Sequence, residues 1–165
     1  MNGKDQLLNW LNDAYAMETS ITKTLESQAG QAKDNPTMRQ AIETHLQQTK
    51  QHADLVKSTI ESLGGDTSAL KTGMANVMGW MQGLSTSPAG DTLVKDSIAD
   101  FATEHFEIAS YRSIIAAAEE LGLTQVVQMA NQIIPQEERM ANFLREHLAT
   151  VTQEALAKLT AGATS

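Results

Sequence analysis

Six side chains in this sequence have the chemistry to hold a hard metal cation: Glu18, His45, His52, Glu104, Glu107 and Glu138. Carboxylate oxygen and imidazole nitrogen are the donors that such ions take. Glu104 and Glu107 stand three residues apart, which puts both on one face of an α-helix. Alternating steps of four and three from Glu107 pass through Leu93, Ser97, Asp100, Glu104, Tyr111, Ile114, Ala118 and Leu121. That line is apolar at its ends and acidic in its middle. A helix facing a bundle core is expected to be hydrophobic there. A buried carboxylate without a partner is costly, and its escapes are protonation, pairing or a metal.

The elements that must position these groups are helices. Residues 4 to 29 carry a stripe of Leu7, Leu11, Ala14, Glu18, Ile21 and Leu25, with one acid at its centre. Residues 30 to 36 make a turn, and the second helix runs from about 37 to 63, stopping at Gly64-Gly65. Its stripe is Met38, Ile42, His45, Thr49, His52, Val56, Thr59 and Leu63, again polar in the middle. Residues 64 to 90 are too many for a tight turn between antiparallel neighbours, so they predict a crossover along the bundle. A short amphipathic helix over 69–83 is expected there, with a Met-rich face packed on the bundle. The third helix spans about 91–121. Gly122 ends it, and Thr124 leads into a fourth over about 125–150, with Pro135 inside. The fourth stripe is read as Val127, Asn131, Ile134, Glu138, Ala141, Arg145 and Leu148. Residues 151 to 165 read as a weak helical extension fading into a disordered tail.

The two hairpins repeat one another. The same 31-residue separation links Glu18 to Thr49 and Glu107 to Glu138. At about 1.5 Å of rise per residue, these four positions share one central level. His45, Glu104 and Ala141 fall about one turn to one side of it, and Tyr15 and His52 about one turn to the other. Four stripes thus place their polar residues at one depth. Bundle cores with a Glu from two helices and a Glu-x-x-His from the other two hold two iron or manganese ions. Glu18 and Glu107 supply the single-Glu helices, Glu138 one Glu of the paired motifs, and His52 the first motif's His. The competing reading makes the acids partners of Arg112, Arg139 or Arg145.

The totals fit this picture. A chain of 165 residues makes one domain with a real core. Aromatics at 4% and three prolines favour helices over sheets. The absence of cysteine excludes disulfides, thiolate zinc sites and Fe–S clusters. A net charge of −8 argues against nucleic acid as the main partner. No run is long enough to span a membrane and no signal-peptide layout opens the chain, so a cytoplasmic protein is expected.

Four segments carry a family resemblance: Trp10 to Glu18, His45 to Lys50, Glu104 to Tyr111, and Glu137 to Ala141. Through them the chain resembles the YciE/YciF family of ferritin-like proteins, most of all its YciE branch, over roughly residues 4 to 150. The resemblance implies an all-α, ferritin-like (rubrerythrin-like) four-helix bundle with a carboxylate-bridged metal centre. It also implies a bacterial stress protein that forms homodimers. Two positions depart from the broader ferritin-like pattern. Thr49 stands where Glu-x-x-His would put a Glu, and Ala141 where the second His would be; Glu104 and His45 are placed to fill part of that gap. His45 serves either as a ligand or as a brace for Glu104.

The expected function is a protein with two iron or manganese ions that handles peroxide, oxygen or iron. If it is an enzyme, it is an oxidoreductase of peroxidase, catalase or ferroxidase type. A non-catalytic metal-sequestering protein and a metal-free bundle whose polar layer fixes register are the alternatives.

Overall fold

The computed structural model describes residues 2–67 and 91–162. The expected short helix over 69–83 and its Met-rich face lie outside them. Four helices are present: α1 (Gly3–Gln31), α2 (Pro36–Ser62), α3 (Thr92–Glu120) and α4 (Thr124–Gly162). The fourth is longer than the stripe suggested, because regular helix continues past residue 150 to Gly162 and through Pro135. No strand occurs among the described residues.

Local chemistry sets the boundaries. Asn2 and Asp5 form a reciprocal capping box that opens α1, with bonds of 2.9 and 3.1 Å. A single 3-10 turn over Ala32–Asp34 follows. Asn35 then caps α2 by accepting from the Met38 N–H at 3.0 Å, and Pro36 fills the first helical position. Gly64 and Gly122 take positive φ at +79° and +67° just beyond α2 and α3, where a side chain would be strained.

Helix α1 packs chiefly on α2, and α3 chiefly on α4, each pair joined by a short connection and therefore antiparallel. Two contacts fix the direction of α3 against α1: Tyr111 meets Glu18 and Asp100 meets Gln28. As one number rises the other falls, so these helices are antiparallel as well. Helix α3 therefore runs parallel to α2. The expected crossover between them lies outside the described residues.

The stripes of α1 and α2 are buried at every expected position. On α3, Ser97, Asp100, Glu104, Glu107, Tyr111, Ile114 and Ala118 are buried, while Leu121 is exposed. The α4 stripe is displaced by one residue. Its buried line runs through Val126, Ala130, Ile133, Glu137, Met140, Leu144 and Val151; of the expected stripe Ile134 and Ala141 are buried too, while Asn131 and Arg145 face solvent. Apolar layers close both ends of the bundle, with Leu7, Leu11, Ile60 and Val126 at one and Met38, Met140 and Leu144 at the other. The polar residues lie between them.

Candidate metal centre

The centre takes residues from all four helices. Glu18 comes from α1, His45 and His52 from α2, Glu104 and Glu107 from α3, and Glu137 from α4. All are buried. His45 and His52 are seven residues apart, two turns, so both rings point inward at different heights. Glu104 and Glu107 do the same one turn apart on α3.

Glu137 is the shared member. His45, Glu104, Glu107 and Glu137 each offer a donor atom within 4.8 Å of the others, and so do Glu18, His52 and Glu137. His45 Nε2 lies 3.0 Å from Glu104 Oε1 and 3.5 Å from Glu137 Oε2. His52 Nδ1 lies 2.8 Å from Glu137 Oε1 and 3.7 Å from Glu18 Oε2. Glu137 therefore turns one oxygen to each imidazole.

The sequence reading assigned this role to Glu138, and the structure corrects it. Glu138 points out of the bundle, its side chain 43% exposed, and accepts from Arg112 Nη2 at 2.8 Å. The rival arginine reading holds for this residue alone among the six. Adjacent helical residues point about 100° apart, so the one-residue shift of the α4 stripe exchanges the core position for the surface. A usable signal was present: Val126, Ala130, Ile133, Glu137, Met140 and Leu144 follow the same four-three spacing with one polar member. The register chosen instead contains Asn131 and Arg145. From Glu137 the Glu-x-x-His pattern would call for His at Met140, so the second motif still lacks its imidazole.

The electrostatics are those of crowded acids. Burial raises the Glu107 and Glu104 carboxyls well above the ordinary range, and the charge of Glu137 raises them further. Burial raises Glu18 too, partly offset by His52. Glu137 goes the other way: burial pushes it up, but contact with His52, His45 and Glu104 outweighs that and leaves it lowered. Burial alone would lower His52, yet Glu137 and Glu18 raise it to about 10. Tyr111 donates its hydroxyl to Glu18 Oε1, and burial together with that carboxylate holds the phenol well above its usual value. Thr49 donates to the His45 carbonyl at 3.0 Å, one turn back, and is a spacer.

The residues fit a metal by an observation independent of their types. Both oxygens of Glu107 and of Glu137, Glu18 Oε2, Glu104 Oε2 and all four ring nitrogens of His45 and His52 are buried without a hydrogen bond. The imidazoles approach the carboxylates closely, but their N–H directions do not aim at the oxygens. Native interiors leave few polar atoms in that condition. Ten at one point are donors converging on a common centre.

Antiparallel helix pairs, parallel second and third helices and a mid-height layer of carboxylate and imidazole define a ferritin-like four-helix bundle compatible with metal binding. The chain belongs to the family described as a domain of unknown function (DUF892), whose model matches residues 2–157. It is similar to Protein YciF of Escherichia coli K12, 27% identical over 143 residues, covering 81% of this chain and 82% of that protein. A crystal structure of a Xanthomonas campestris protein superposes with a TM-score of 0.80 at 30% identity, covering 96% and 99% of the two chains. The fold is shared with a structure described as ferritin-like, diiron-carboxylate proteins from Bacillus anthracis, with a TM-score of 0.73, 18% identity and coverage of 90% and 99%. These relationships do not separate the YciE branch from the YciF branch.

Proposed function

We propose that this chain holds two iron or manganese ions and serves bacterial stress defence by handling peroxide, oxygen or iron. One position is formed by Glu18, His52 and Glu137, the other by His45, Glu104, Glu107 and Glu137. The observation that carries this reading is the sharing of Glu137 between the two donor groups. Charge supports the stoichiometry, since four carboxylates beside neutral imidazoles balance two divalent cations. The solved E. coli YciF is described as a stress protein, and the B. anthracis neighbour as diiron-carboxylate, which supports the same assignment.

When bound, two such ions supply electron exchange and Lewis-acid activation of an oxygen-containing substrate. The protein's part is positioning. Glu137 fixes the spacing of the two positions, and Tyr111 holds Glu18 by one oxygen, leaving Oε2 free to serve as donor. His52 must shed its extra proton to act as a ligand, so uptake competes with protonation. The ring's position against Glu137 and Glu18 provides an acceptor for that proton.

A homodimer, on the strength of the family resemblance, and a cytoplasmic location, on the sequence expectation, belong to the same proposal. No helix among the described residues is long and apolar enough to cross a membrane.

Metal analysis of protein purified without chelator tests the reading. Two ions per chain are expected, and a protein that also ignores added Fe(II) and Mn(II) contradicts it. Sustained peroxide turnover abolished by Glu107→Ala, with folding intact, separates an enzyme from a sequestering protein.

A further inference from the structure

Helices α2 and α4 meet along fewer residues than the partners within each hairpin, and two cavities with histidines of the centre in their lining open between them. The larger, about 350 Å³, includes Ala41, Thr44, Gln48, Gln136 and Arg139 in its wall and reaches the His45 ring. The smaller, about 240 Å³, is lined by Gln51, His52, Leu55, Gln132, Ile133 and Gln136. Each cavity has a different histidine of the centre in its lining, and Gln136 belongs to both walls. Gln136 also directly precedes Glu137, the shared carboxylate, so one turn of α4 separates the cavities and joins the donor groups.

The charge of these walls is informative. The chain carries −8 overall and the centre itself is acidic. Yet neither wall has a carboxylate among the described residues, and beyond the histidines of the centre the only charged side chain on either is Arg139. A route for cations would be expected to show acids. Glutamine amides and a guanidinium instead suit a small hydrogen-bonding molecule that is neutral or anionic. Both cavities lie at or below the small end of ligand-pocket volumes and have room for a molecule of several atoms.

We propose that the α2–α4 face is the small-molecule entrance to the centre. It has one port ending on His45 and one on His52, divided by Gln136, and admits a neutral or anionic molecule of peroxide size. The inference rests on the two-metal reading above and adds where the co-substrate arrives and what charge it carries.

Azide, a small anionic metal ligand, is a suitable probe on the Co(II)-loaded protein, whose visible bands report its binding. In stopped-flow mixing, Gln136→Trp should slow azide association by about tenfold or more, because the indole fills both ports. Co(II) stoichiometry and the helical circular dichroism should stay at wild-type values. Thr44→Trp and Gln132→Trp, at exposed positions on the two separate rims, should each slow only part of the reaction. They carry the test if the Gln136 variant does not fold. Wild-type azide rates in the folded variants overturn the entrance while leaving the metal centre standing. A wild-type protein that takes up no Co(II) overturns the metal centre, and the entrance with it.

Discussion

Glu137 Oε1 lies 2.8 Å from His52 Nδ1, while the other oxygen of the same carboxylate lies 3.5 Å from His45 Nε2. Two histidines two turns apart on α2 are thus tied to one residue of α4. Neither contact has the direction of a proper hydrogen bond. The behaviour of the site should consequently depend strongly on protons and cations.

The first consequence concerns pH. His52 titrates near 10 in the fold against an ordinary 6.5, so its stabilisation is complete below about 6.5 and lost as pH rises through about 10. The raised carboxyls of Glu104 and Glu107 destabilise increasingly as pH climbs above their ordinary 4.5. Glu137 is lowered, so its contribution is present above 4.5 and lost only in acid below that. Chelator-treated protein should therefore melt at a higher temperature near pH 6 than near pH 9. Bound metal should reverse the trend, because its ligands must lose their protons first. A metal-free Tm unchanged or higher at the alkaline end would show that these groups are not coupled as described.

Glu137 and Glu138 should behave as opposites. Glu138→Ala removes a half-exposed ion pair with Arg112 and should change stability by no more than about 0.5 kcal/mol, because solvent screens such pairs. It should leave metal content intact. Glu137→Ala should abolish metal binding, since both donor groups include it. Elemental analysis of the two purified variants decides this, and equal metal loss in both would refute the register.

Much of this was legible before any coordinates. The stripes of α1, α2 and α3 were readable because each had one spacing that kept apolar residues at both ends. The pairing of His45 with Glu104 followed from helix rise alone, and the 3.0 Å contact agrees with it. Helix α4 was ambiguous because adjacent residues Glu137 and Glu138 each lie on a plausible four-three stripe. Matching the 31-residue repeat selected the wrong one; continuity of the apolar line selects the right one. The orphaned donor atoms could not be read at all, since they depend on side-chain direction across four helices.

Tyr111→Phe keeps the ring volume and removes only the hydroxyl bond to Glu18. Loss of a buried bond to a charged acceptor should destabilise the metal-free protein by about 1.5–3 kcal/mol in urea unfolding. It should also weaken binding at the Glu18–His52–Glu137 position more than at its neighbour. An unaltered unfolding midpoint would mean that the hydroxyl contributes nothing to holding Glu18.

Asp100, one turn before Glu104 on α3 and outside both donor groups, gives a further pH test. It is buried and accepts from Gln28 Nε2 at 2.9 Å. Burial raises it to about 7, with Asp96 adding to the rise while Gln28 and His45 oppose it. A raised acid destabilises the fold increasingly from its ordinary 3.8 up to its folded value of about 7, and by a constant amount above it. Relative to its difference from wild type near pH 4, Asp100→Asn should gain in stability as pH rises to about 7 and keep that gain near pH 9. A stability difference independent of pH would contradict the raised value.

The central claim is that one carboxylate, Glu137, spans two metal positions. Anomalous diffraction from crystals soaked in Mn(II) or Fe(II) measures this directly. Two peaks are expected, one bonded to Glu18 and His52, the other to His45, Glu104 and Glu107, with Glu137 touching both. A single peak, or metal density bonded to Glu138 instead, would contradict it.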